Sequence, residues 1–142
     1  MALAADVLPD TDVRLTLAAD PVAVRDGLAQ IAASAAFATL ADDHRTTAEI
    51  VLAEVLNNIA EHAYSGGPGG ISIHLSATPA GLECRIVDQG REMPGGAPPA
   101  GTLPEEAFPE GGFGWFLIRS LTHGLHYQRI GDQNHLRFVI PA

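Results

Sequence analysis

No lysine occurs among the 142 residues; all eight basic residues are arginines, set against 17 Asp and Glu for a net charge of -9. That balance, with no basic cluster, argues against a nucleic-acid partner. It also excludes a phosphate loop of the Gly-Lys-Ser/Thr kind, so any bound nucleotide must be held by another device. The single cysteine, Cys84, excludes an internal disulfide and a cysteine-based zinc site. It falls in a strand-like run and reads as a small buried hydrophobe. No apolar run reaches the length of a membrane span, and the N-terminus lacks a charged region followed by an apolar one. A bacterial-style cytoplasmic protein without a membrane partner is the expectation. The remaining composition, 46% hydrophobic and 18% charged, is that of one globular domain with a core.

What is present centres on Thr46 to Tyr64, TTAEIVLAEVLNNIAEHAY. Ile50, Val51, Leu52, Val55, Leu56 and Ile59 make most of the circumference apolar, which predicts a buried helix of about five turns. Glu54, Asn58 and His62 stand at i, i+4 and i+8, and so share one face. A carboxylate and an amide on a core helix need partners, because unpaired burial costs about 2 kcal/mol or more. Neighbouring backbone is one source of partners; a ligand or metal over a pocket floor is the other.

The rest of the chain is punctuated plainly. Residues 1–12 read as flexible. Val13 to Leu17 alternates as a half-buried strand. Asp20-Pro21 starts a helix expected to run to about Leu40, with Asp42-Asp43-His44 as a connector. The Gly-rich stretch 65–70 ends the central helix. Ile71 to Ser76 and Leu82 to Val87 read as a hairpin that leads into Asp88-Gln89-Gly90. Residues 91–112 are rich in Pro and Gly and read as a lid or binding loop. Gly112-Phe113-Gly114 opens a short apolar helix, Trp115 to Leu121. Trp115 is read as core or pocket wall. Gly124 to Ile130 and His135 to Ile140 are strands, with residues 131–134 turning between them. His123 and His126 are assigned to the surface. The order predicts an α+β fold: helices on one face of a mostly antiparallel sheet.

Three pieces combine: Glu54-x-x-x-Asn58 on a buried helix, Asp88-x-Gly90 at a strand end, and Gly112-x-Gly114 after a lid. In that order they resemble the GHKL (Bergerat) histidine-kinase-like ATPase domains of gyrase, histidine kinases and mismatch-repair ATPases. Within that superfamily the chain is most similar to the anti-sigma-factor serine/threonine kinases. LAEVLNNIAEHAY resembles the N box, IVDQG the first glycine box, and GGFGWFLIRSL the second. The resemblance runs from about Val13 to Ile140. It implies a Bergerat two-layer sandwich, a single domain over 1–142, and an ATP lid over 91–112.

The resemblance also implies roles. Asn58 would hold a Mg²⁺ bridging the ATP phosphates, and Glu54 would be the general base on the attacking hydroxyl. Asp88 would accept a hydrogen bond from the adenine amino group, with Gly90 allowing close approach. Gly112, Phe113 and Gly114 would bring backbone N–H groups to the phosphates. His62 matches a family position and would line the phosphate side, although a hydrogen bond near the helix C-terminus serves it equally well. Two features differ from the family pattern. The lid holds Glu92, Glu105, Glu106 and Glu110, with no basic residue between Arg91 and Arg119. In the last strand, where relatives have threonine beneath the adenine, Arg137 stands at the matching position.

The resemblance implies a serine kinase that phosphorylates an anti-anti-sigma partner of the STAS type and sequesters a sigma factor or other protein client. A nucleotide-gated switch with weak catalysis is the alternative. The catalytic domain of a histidine kinase is a third reading, disfavoured because no dimerisation helix precedes Val13. Homodimers are expected of the family, with the helix from Pro21 to Leu40 as a candidate surface.

Overall fold

The computed structural model describes residues 12–64, 67–99 and 113–141. Five antiparallel strands form one sheet in the order β1-β2-β3-β5-β4. These are β1 (Val13–Ala18), β2 (Gly70–Thr78), β3 (Gly81–Asp88), β4 (His123–Ile130) and β5 (Gln133–Pro141). The helices α1 (Pro21–Ala32), α2 (Ala35–Ala38), α3 (Asp42–Asn58) and α4 (Phe113–Leu121) complete the α+β sandwich. Among the described residues no helix is long and apolar enough to cross a membrane.

Strand alternation builds the core. Ile71, Ile73 and Leu75 of β2, Leu82, Cys84 and Ile86 of β3, and Leu136, Phe138 and Ile140 of β5 are buried. They share that burial with Val51, Leu52, Val55 and Leu56 of α3 in one apolar cluster. Cys84 is fully enclosed and its thiol is pushed well above the usual range by burial, so it is the inert hydrophobe expected.

Local chemistry corrects three boundaries. The helix expected to run to Leu40 breaks at Ser34. The Ser34 hydroxyl donates to Ile31 O (2.6 Å) and accepts from Phe37 N (3.3 Å), ending α1 and capping α2. Asp42-Asp43-His44 is no connector but the first turn of α3, where two carboxylates meet the positive end of the helix dipole and Asp42 pairs with Arg45. The β4–β5 turn is two residues, Gly131 at φ +59° and Asp132. Gln133 and Asn134 are therefore already strand, which decides what lies beside Asp88.

Candidate nucleotide site

At its last turn α3 changes pitch: Ile59–Ala63 form a π turn, closed by Tyr64 N–H donating to Ile59 O (3.3 Å). The chain leaving β3 packs against this turn. Arg91 N donates to Ala63 O (2.8 Å) and the Arg91 guanidinium to His62 O (2.8 Å). Tyr64 adds a bridge, its hydroxyl donating to Gly70 O (2.8 Å) and accepting from Gln89 N (2.7 Å). A Cβ on Gly90 would stand 2.5 Å from Ala63 Cβ and O, so glycine is what allows this approach.

Asp88 closes one end of the site and is 5% exposed. Its Oδ1 accepts from Gly90 N (2.8 Å) and Asn134 Nδ2 (2.8 Å). Among the described residues no donor meets Oδ2. Burial raises the carboxyl above its ordinary value, with the Asn134 and Gly90 hydrogen bonds opposing. Asn134 is the hub: its amide nitrogen also reaches Arg91 O (2.8 Å), and its oxygen accepts from Arg129 Nη1 (3.0 Å) and the Tyr127 hydroxyl. That hydroxyl accepts from Met93 N (3.0 Å), and Arg129 Nη1 also donates to Gly90 O (2.7 Å).

The other end is built differently. Glu54 and Asn58 lie one turn apart on α3, half-buried, under the first turn of α4. A Cβ on Gly114 would lie 2.8 Å from Glu54 Oε2 and 3.2 Å from Asn58 Nδ2. The buried Asn58 Nδ2 has no hydrogen-bond partner among the described residues. A buried NH₂ without an acceptor suits an incoming anion, and a half turn of the amide offers its carbonyl instead. Carboxylate and amide oxygens are the donor set of a hard cation such as Mg²⁺. Among the described residues no group of three or more His, Cys, Asp or Glu could hold a metal. Such a cation would draw its remaining ligands from phosphate and water.

The structure thus brings Glu54, Asn58 and Gly114 together at one end, and Asp88 and Gly90 at the other. The His62 side chain is 74% exposed and its Nε2 lies 3.8 Å from Glu61 Oε2. Gly112 lies outside the described residues, as does most of the lid, while Phe113 begins α4. Arg137 does not stand at the position beneath the adenine to which the resemblance assigned it. It pairs with Arg85 on the open face of the sheet, and the inward residue opposite Asp88 is Asn134. Counting by twos from Ile140, Phe138 and Leu136 lands on Asn134, a polar residue in an apolar slot. Tyr127 and Arg129 carry no comparable signal, because their partners Gly90, Met93 and Asn134 lie on other segments of the chain.

Comparison with known proteins bears on the family and the fold. A family model described as a histidine kinase-like ATPase domain matches residues 17–140. The serine/threonine-protein kinase BtrW of Bordetella bronchiseptica is 38% identical over 96 residues, 65% of this chain and 67% of that protein. The serine-protein kinase RsbW of Halalkalibacterium halodurans is 36% identical over 80 residues, 51% of this chain and 48% of that protein. A solved structure of the RsbU and RsbW domains of a Mycobacterium tuberculosis protein matches with a TM-score of 0.63 at 14% identity, covering 94% of this chain and 33% of that one. That last likeness is one of fold alone.

Proposed function

Given that this chain belongs to the histidine kinase-like ATPase domain family, we propose that it is a serine/threonine protein kinase acting as an anti-sigma regulatory factor. In this reading it takes Mg-ATP as phosphoryl donor and a small STAS-type protein as acceptor. The observation that carries the reading is Asn58: its buried amide nitrogen has no partner among the described residues, one helical turn from Glu54 and under the glycine in the first turn of α4. The protein gains no stability from such an amide, which suits it to a ligand.

The chain's own residues divide the work. Asp88 Oδ2 accepts the exocyclic amino group of adenine, while Asn134 and Gly90 hold Oδ1 and fix the carboxylate's direction. Asn58 would hold Mg²⁺, which neutralises phosphate charge when bound. Glu54 takes the proton from the acceptor serine hydroxyl as its oxygen bonds to the γ-phosphorus, while the bond from that phosphorus to the β–γ bridging oxygen breaks and ADP leaves. The first N–H groups of α4 face the departing charge. Residues 91–112 are the lid of this reading, and His62, at its margin, contributes least. Purified chain with labelled ATP and a STAS-type protein tests the proposal. Transfer of label that is lost in Glu54→Gln supports it, and no transfer from either protein removes it.

One observation favours a nucleotide-gated switch with slow chemistry. Arg91 and Arg129 are held by the carbonyls of His62 and Gly90, and Arg119 donates from Nε to Pro99 O (2.7 Å) and from Nη2 to Pro98 O (3.1 Å). These three cations are committed to the backbone around the site. Calorimetry beside the transfer assay separates the readings: the switch binds ATP, changes its affinity for a client, and turns over little.

A further inference from the structure

The sheet face turned away from the helices carries charge opposite to that of the chain. Strand register aligns one residue from each strand in a single row: Arg14, His74, Arg85, Arg137 and His126. Neighbouring strands lie about 4.8 Å apart, so the row crosses roughly 19 Å. In a chain of net charge -9, three of the eight arginines stand in it. His135 adds another basic group in the adjoining row.

Like charges directly opposite one another on a sheet are destabilising, so nothing in the packing of the strands calls for this row. Internal carboxylates offset part of it. Asp12 meets His74 (2.8 Å) and Arg14 (3.4 Å), and Glu83 meets Arg85 (3.0 Å). Arg137 has no carboxylate partner among the described residues. A shallow, open depression of about 500 Å³ on this face is lined by Arg14, Ser72, His74, Arg85 and His135, among others.

We propose that this face is a docking site for an acidic segment of another protein, laid across the strands with its carboxylates on Arg85, Arg137 and the flanking histidines. Guanidinium groups pair with carboxylates in forked geometry, which gives direction as well as attraction. Two other occupants fit less well. A second copy laid face to face would oppose arginine to arginine. Nucleic acid would meet the repulsion of the whole acidic chain, and the outward strand positions offer no Phe, Tyr or Trp on which bases could stack. The site goes beyond the kinase reading and does not depend on it, since it lies on the opposite side of the sheet from Glu54 and Asn58.

The test uses the full chain and a fluorescein-labelled glutamate-rich peptide, followed by anisotropy at low and moderate salt. The expected result is salt-sensitive binding that weakens roughly tenfold or more in the double variant Arg85→Glu/Arg137→Glu. It is unchanged in Arg25→Glu, an exposed arginine on α1, and in Asp88→Asn. Arg137→Gln, which leaves no new charge on the sheet, should weaken binding several-fold; its circular dichroism shows that the fold is intact. Absence of binding, equal loss in Arg25→Glu, or tighter binding of a single-stranded oligonucleotide of the same charge overturns the proposal. So does a homodimer in sedimentation that Arg137→Glu dissociates, because the face would then belong to a second copy.

Discussion

At the Asp88 end of the site nearly every polar atom has an assigned partner. Asn134 alone touches Asp88, Arg91, Arg129 and Tyr127. At the Glu54 end the Asn58 amide nitrogen is buried with no acceptor among the described residues. The contrast follows from the physics of what each end would do. A planar base is recognised by fixed hydrogen-bond directions, which a rigid network provides. A triphosphate and its cation need groups whose bonding capacity the fold has left free. One end therefore adds to stability, and the other is tolerated at some cost to it.

The largest effect expected is catalytic. Glu54→Gln keeps the shape of the side chain and removes the base, so phosphoryl transfer in a single-turnover assay should fall about 10²-fold or more. The thermal midpoint should move little. A comparable loss of stability would mean that Glu54 is structural.

Next is the network end. Asn134→Leu takes a donor from Asp88 and leaves Arg91 O and the Tyr127 hydroxyl short of a partner. Chemical denaturation should show a loss of about 1–3 kcal/mol.

The pH dependence of stability sharpens the same end. Burial raises the folded-state pKa of Asp88 above its ordinary 3.8. From 3.8 upward the folded chain retains a proton that the unfolded chain releases. The contribution of this group to stability therefore falls as pH rises through that window and is constant above it. Asp88→Asn should flatten the fall and, in calorimetry, lose nucleotide binding. An unchanged pH profile would place the carboxylate in a wetter setting than the one described.

The smallest effect has the opposite sign. Asn58→Ala removes an unpartnered amide, so stability should be unchanged or higher by up to about 1 kcal/mol, while nucleotide affinity is lost. Destabilisation as large as that of Asn134→Leu would erase the contrast between the two ends.

Much of this was legible in one dimension. Period-two runs predicted β2, β3 and β5 near their observed bounds, and the apolar girth of α3 predicted its burial. Glu54-x-x-x-Asn58 and Asp88-x-Gly90 pointed to the two ends. Two differences between pattern and structure share one source. The polar run 131–134 looks like turn throughout, yet Gln133 and Asn134 are strand, and strand parity then sets Asn134 beside Asp88 and Arg137 on the far face. The break at Ser34 leaves no mark on a helix-period count, because its two hydrogen bonds are to main chain.

By itself the sequence determined which residues are apolar and at what period, and hence the elements and the face each buries. It also set the chemistry available: arginine without lysine, one enclosed thiol, and an Asn and a Glu on a core helix. Only the tertiary structure decided which distant residues meet. Asn134 reaches Asp88 across 46 positions and Gly114 presses on Glu54 across 60 because strand register and helix packing bring them together. The basic row on the open face arises in the same way. Five residues from five strands share one line through hydrogen bonds between backbones, which local spacing along the chain does not encode.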